Sequence, residues 1–81
     1  MTEPAELTAL LQTIFVEVSE RPLPPLTPDT SVAELGIDSI AVAEIVTRIE
    51  DRLGIEIPAA KWMRARTLQD FLDAVKSAQQ R

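Results

Sequence analysis

Asp38 and Ser39 are the two residues whose chemistry and position coincide most usefully in this chain. They fall in Leu35-Gly36-Ile37-Asp38-Ser39-Ile40, where a proline-rich segment gives way to an apolar periodicity of helical spacing. An aspartate there caps a helix by accepting a backbone N–H. The serine that follows stands in the first turn, where unpaired N–H groups and the positive end of the dipole favour an attached phosphate. Gly36 permits a tight backbone approach before the helix, and Ile37 anchors the end of the loop. A group attached through phosphate needs a hydroxyl that is rigidly framed, and Ser39 is placed to offer one. Asp-Ser ahead of an apolar helix is also an ordinary capping signal, and the dipeptide alone does not separate the two readings.

Composition removes many alternatives. The 81 residues are expected to form a single domain over residues 1–81. There is no cysteine, hence no disulfide or thiolate ligand, and no histidine, hence no usual general base and no Ser-His or Cys-His arrangement. Neither catalytic nor metal-binding residues are expected, and the chain is not expected to be an enzyme. The net charge of −5 disfavours nucleic acid and anionic membrane as partners. It is unevenly spread: residues 1–59 carry eleven acids and three bases, whereas residues 60–81 carry five bases and two acids. The N-terminus reads as no signal peptide, and no apolar run reaches the length of a membrane span. The expected location is the cytoplasm, and the expected state is a monomer.

The elements that must position Ser39 are helices. Leu7, Leu10, Leu11, Ile14, Phe15 and Val18 recur at helical spacing, which predicts a first helix over Pro4 to Glu20, capped by Thr2 or Glu3. Four of the six prolines lie between Arg21 and Thr30, an extended loop that Leu23 and Leu26 pin to the core. Thr30 to Leu35 reads as one helical turn closed by Gly36. The second helix is predicted over Ser39 to Leu53, ended by Gly54, with Val42, Ile45, Val46, Ile49 and Leu53 inward. Ile40, Ala41, Glu44, Thr47, Arg48 and Asp51 are expected to face outward. A short third helix is predicted over Ala59 to Ala65. The last opens at Thr67 with Asp70 completing a capping box, and buries Leu68, Phe71, Leu72 and Val75. The fold class is all-α: a small four-helix bundle of three longer helices and one short one, with a long first loop.

The stretch Leu35 to Pro58, with its Gly-Ile-Asp-Ser-Ile core, resembles the acyl carrier proteins of fatty acid and polyketide synthesis. The likeness extends to the long first loop, Ile55-Glu56-Ile57-Pro58 and Thr67-Leu68. The resemblance implies that Ser39 carries 4′-phosphopantetheine from coenzyme A, an arm ending in a thiol that holds acyl groups as thioesters. It implies that Asp38 helps position the metal ion of the phosphopantetheinyl transferase. It further implies that Glu44, Glu50 and Asp51 meet basic patches on partner enzymes, and that Ile40 packs against partner surfaces. Thr47, Arg48 and Trp62 are further candidates for partner contact. The implied partners are the transferase, an acyl-loading ligase or acyltransferase, and a ketosynthase or other downstream enzyme.

Other readings stay open at this level. Glu44 and Arg48 are spaced for an intrahelical pair on a solvated face. Trp62 can equally close the bundle over the short helix. Peptidyl carriers of nonribosomal synthesis are related, although Leu35-Gly36-Ile37-Asp38 is closer to the acyl type. An unmodified helical interaction module is a further alternative. Met1 and the short tails suit a free-standing carrier. Ala41 stands where the family commonly has an acid, Arg48 and Arg52 offset two of the three acids of the second helix, and Lys61, Trp62, Met63, Arg64 and Arg66 replace a usually acidic stretch. These departures point to a dedicated carrier of polyketide or related metabolism.

Overall fold

A computed structural model describes residues 4–80, and Thr2 and Glu3, the expected caps of the first helix, lie outside them. Four helices follow in order: α1 (Pro4–Ser19), α2 (Ser39–Leu53), α3 (Ala59–Trp62) and α4 (Leu68–Gln79), with a 3-10 turn at Ala33–Leu35. The apolar stripes read from the sequence meet in one core. Leu7, Leu11, Ile14 and Phe15 of α1 pack with Ile45, Val46 and Ile49 of α2 and with Leu68, Phe71, Leu72 and Val75 of α4. Phe15 and Phe71 meet edge to face, with centroids 5.8 Å apart and planes at 87°. Among the described residues no polar or charged side chain is buried, and no helix is long and apolar enough to cross a membrane.

The inward face of α2 is wider than the predicted stripe. Ala41, expected to face outward, is half-buried against the core, because it lies one turn before Ile45 on the same side of the helix. Val42 and Leu53 sit at the core margin. Ala74 and Ala78 of α4 are buried as well, two small residues that the stripe of larger ones concealed.

The proline-rich loop has a structural task that its composition did not disclose. Its carbonyls at Pro28 and Thr30 accept the N–H groups of Gln69 and Leu68, at 3.0 Å each. These are first-turn donors of α4, which have no partner within their own helix. The Val32 N–H bonds to the Arg66 carbonyl at 2.9 Å, and Ser31 and Thr67 form an isolated antiparallel bridge. This pairing shortens α3. The helix predicted to reach Ala65 stops at Trp62, because Arg66 and Thr67 must leave helical geometry to meet Ser31 and Val32. Leu26 is buried and Leu23 half-buried, as expected of the residues that pin the loop.

Helix ends follow the capping signals. Thr67 and Asp70 form the reciprocal box: the Asp70 N–H donates to Thr67 Oγ1, while Asp70 Oδ2 accepts from the N–H groups of Thr67 (3.1 Å) and Arg66 (2.8 Å). Those bonds from Arg66 and Thr67 hold the Asp70 carboxyl below the usual carboxylate range. A folded-state value below the unfolded one stabilises the protein above about pH 4 and is lost as pH falls through the depressed value. Asp70→Asn should therefore melt lower than the parent at pH 7, with a difference that shrinks below about pH 4. Melting curves at stepped pH check this; a gap of constant size would show that the Asp70 charge contributes nothing.

Candidate attachment site and docking face

Ser39 opens α2 and is exposed. Asp38 precedes it in extended conformation (φ −85°, ψ 177°) and caps the helix, its Oδ1 accepting the Ala41 N–H at 2.8 Å and its carbonyl accepting the Val42 N–H at 2.9 Å. Capping thus falls to the aspartate alone. Among the described residues the Ser39 hydroxyl makes no hydrogen bond, and the N–H groups of Ser39 and Ile40 have no intramolecular acceptor. A phosphodiester on Oγ would stand beside free donors at the positive end of a fifteen-residue helix. The residues present therefore fit a phosphate-linked group at this oxygen.

The approach to Ser39 is held from both sides. Ile37 is buried and fixes the strand of loop just before Asp38. Gly36 takes the left-handed conformation (φ 73°) that closes the 3-10 turn, its N–H reaching the Ala33 carbonyl. The Arg21 guanidinium lies over this glycine and donates to the Leu35 carbonyl, so that a Cβ at position 36 would stand 2.6 Å from Arg21 Nη2. The left-handed φ is what calls for glycine there, since the end of the Arg21 side chain can swing away from a Cβ. Arg21 carries no sequence signal for this role: it sits among prolines, and the contact depends on how α1 ends. That end is itself unusual, since Glu20 adopts φ 57° without being glycine.

An open groove of 430 Å³ runs beside Ser39, lined by Glu17, Val18 and Glu20 from the end of α1 and by Asp38, Ile40, Ala41, Glu44 and Arg48 from α2. Ile40 is 80% exposed. Of the candidate residues, the groove brings together Asp38, Ile40, Glu44 and Arg48. Thr47 and Asp51 lie further along α2, both exposed, with Thr47 Oγ1 donating to the Ala43 carbonyl at 3.0 Å. Trp62 is on α3, half-buried against the core, and does not line the groove.

The charges on α2 are distributed differently from the sequence reading. Arg48 does pair with Glu44 at 3.4 Å, as the i,i+4 spacing allows. It also reaches Glu17 of α1 at 3.4 Å, and Arg52 reaches the same carboxylate at 2.9 Å. Glu17 thus draws both arginines toward α1, and Asp51 is left without an ion pair among the described residues. These side chains are 37–55% exposed, so each pair contributes little to stability. Glu50 departs from its expected place in the acidic face. Half-buried, it accepts the Ile57 N–H at 2.7 Å and so closes the loop after α2.

The model of a phosphopantetheine attachment site matches residues 9–75. An acyl carrier protein of Micrococcus luteus is 32% identical over 80 residues, covering 98% of this chain and 99% of that protein. A crystal structure of an acyl carrier protein from Thermotoga maritima superposes with a TM-score of 0.85 at 26% identity, over 94% of this chain and 89% of that one. A non-reducing polyketide synthase of Alternaria cinerariae is 43% identical over 43 residues, which are 53% of this chain and 2% of the synthase. An exposed serine on a helix N-terminus, an all-helical frame shared with a solved carrier and a match across most of the sequence lead to one assignment: this chain belongs to the acyl carrier proteins, whose domain bears phosphopantetheine.

Proposed function

We propose that Ser39 is the attachment residue and that the protein shuttles acyl groups between enzymes of polyketide or related metabolism. The observation that carries the first part is the free Ser39 hydroxyl beside unbonded N–H groups at the start of α2. In the transferase reaction a bond forms between Ser39 Oγ and the phosphorus of the pantetheine phosphate. The pyrophosphate link of coenzyme A breaks, adenosine 3′,5′-bisphosphate leaves with the bridging oxygen, and the hydroxyl proton passes to a base of the transferase. Asp38 keeps the helix start rigid and places a carboxylate next to the reacting oxygen, suited to the transferase's metal. When attached, the group supplies a thiol at the end of a flexible arm, on which acyl cargo rides. This chain's own residues hold the attachment point still and offer a surface to successive partners.

Ile40, Glu44, Thr47 and Asp51 are the proposed docking residues, an exposed apolar side chain followed by two carboxylates along one helix. Such a face favours fast, weak encounters, the regime a carrier needs to leave each enzyme quickly. Arg48 is assigned a lesser part, since it turns toward Glu44 and Glu17. The partners are a phosphopantetheinyl transferase, a loading ligase or acyltransferase, and a ketosynthase or other receiving enzyme. The likeness to part of a polyketide synthase supports that pathway class.

The attachment is tested by incubating the protein with a broad-specificity transferase and coenzyme A, followed by intact mass and fragmentation. One added phosphopantetheine on the peptide containing Ser39 is the expected result; modification of another hydroxyl overturns the assignment. The docking face is tested by Glu44→Lys and Asp51→Lys. Each should lower kcat/KM for acyl transfer by a partner about two- to tenfold at low salt, with the deficit shrinking at high salt and the melting temperature nearly unchanged. Equal rates at low salt would remove the steering role.

A further inference from the structure

Ile40 and Met63 are the exposed large hydrophobic side chains among the described residues, at 80% and 71%. The first lies in the acidic face already described. The second lies in a segment of opposite sign, with Lys61, Arg64 and Arg66 exposed around it. Neither Lys61 nor Arg64 has an ion pair among the described residues. Both line a groove of 200 Å³ between α3 and α4, together with Asp70, Asp73 and Ser77. The carboxylates of that groove are already engaged: Asp70 takes two backbone N–H groups, and Asp73 accepts from Gln69 Nε2 at 2.8 Å. Its cations are not. Those hydrogen bonds leave both carboxylates charged, so the groove itself is balanced. The positive excess lies on the α3 side, where Lys61, Arg64 and Arg66 surround Met63 with no acid between Glu56 and Asp70, and that side attracts carboxylate from outside.

We propose that the segment Lys61 to Arg66 is a second docking surface, which receives a partner protein presenting an apolar socket for Met63 edged by Asp and Glu side chains. The carrier would then offer partners two apolar knobs of opposite surroundings. A partner that engages both must be basic opposite Ile40 and acidic opposite Met63, which fixes its orientation. Like charges placed at either end would repel, so the arrangement also excludes partners whose polarity is reversed or uniformly basic. A second copy of this chain is a poorer occupant. Its acidic face offers Ile40, itself a protrusion rather than a socket, and Glu44, already paired with Arg48. The surface does not involve Ser39, so its success or failure is independent of the attachment reading.

The test is a pair of titrations of the isotope-labelled full chain, followed by amide NMR, with two short amphipathic helical peptides as probes. One is built of leucine and glutamate, the other of leucine and lysine. The leucine–glutamate peptide should shift the amides of residues 61–66 and of the facing turn of α4, and the leucine–lysine peptide those of residues 40–51. The double variant Lys61→Glu, Arg64→Glu should weaken the first peptide about fivefold or more and leave the second unchanged. Met63→Ser should weaken the first peptide while preserving its salt dependence, which separates the apolar contribution from the charged one. Well-dispersed spectra of both variants verify their fold. Failure of the acidic peptide to shift residues 61–66, or shifts confined to α2, overturns the proposal. Sedimentation that depends on protein concentration and is abolished by the double charge reversal also overturns it, in favour of a second copy.

Discussion

Ser39→Ala will gain no mass on incubation with a transferase and coenzyme A, and will melt within about a degree of the parent. Both halves follow from the division of labour at the start of α2. The hydroxyl has no partner among the described residues, so its removal costs no hydrogen bond there, and alanine is the better helix former at an exposed first-turn site. The cap belongs to Asp38, whose Oδ1 holds the Ala41 N–H. Asp38→Ala is the complementary experiment. It should cost about 1 kcal/mol of stability through loss of the cap while leaving the Ser39 hydroxyl in place. A serine serving only as part of a capping signal predicts the reverse for Ser39→Ala: a lower melting temperature and no change in modification. Gain of a full phosphopantetheine by the alanine variant would move the attachment point elsewhere in the chain.

The parts of this molecule written in local spacing were legible before any coordinates. The α2 boundaries, the Asp38 cap, the turn closed by Gly36, the left-handed Gly54 and the Thr67–Asp70 box each depend on residues within one turn of one another. The parts that depend on distant segments were not. Glu17 lies on α1 and its two arginine partners on α2, and only the packing of the two helices determines that they meet. Arg21 reaches the Leu35 carbonyl because of the angle at which α1 terminates. The α3 boundary differs from its local signal for the same reason: Ala59 to Ala65 is compatible with helix, and the Ser31–Thr67 bridge overrides it. Glu50 shows the ambiguity of a charged residue on a helix, where the same carboxylate suits solvent or a backbone N–H seven residues on. At the site itself the sequence placed Ser39 at the start of α2 and named its Asp38 cap, whereas the groove wall from α1 had no signal within reach.

Phe71→Ala should produce one of the largest losses of stability among alanine substitutions in this protein. Phe71 is 2% exposed and stacks edge to face on Phe15, joining α4 to α1 across the centre of the core. Truncating a buried phenylalanine typically costs about 3–5 kcal/mol, and an aromatic pair adds roughly 0.5–1.5 kcal/mol beyond its area. Domains of this size hold stabilities near the lower end of about 5–15 kcal/mol, so the variant should sit close to its folding threshold at room temperature. At about 4–8 °C per kcal/mol the melting temperature should fall by on the order of 15 °C or more. A melt within a few degrees of the parent would mean that the pair does not sit at the centre of the core. Arg48→Ala, which removes two exposed ion pairs, should cost less than about 1 kcal/mol and calibrates the comparison. The functional consequence differs in kind from that of Ser39→Ala. Modification of Phe71→Ala should track the folded fraction, because the transferase needs α2 held by its inward face, and a stabilising osmolyte should restore it. No osmolyte can restore a missing oxygen. Rescue in one variant and its absence in the other therefore separate the bundle's task of presenting a hydroxyl from the task proposed for that hydroxyl, bearing the arm.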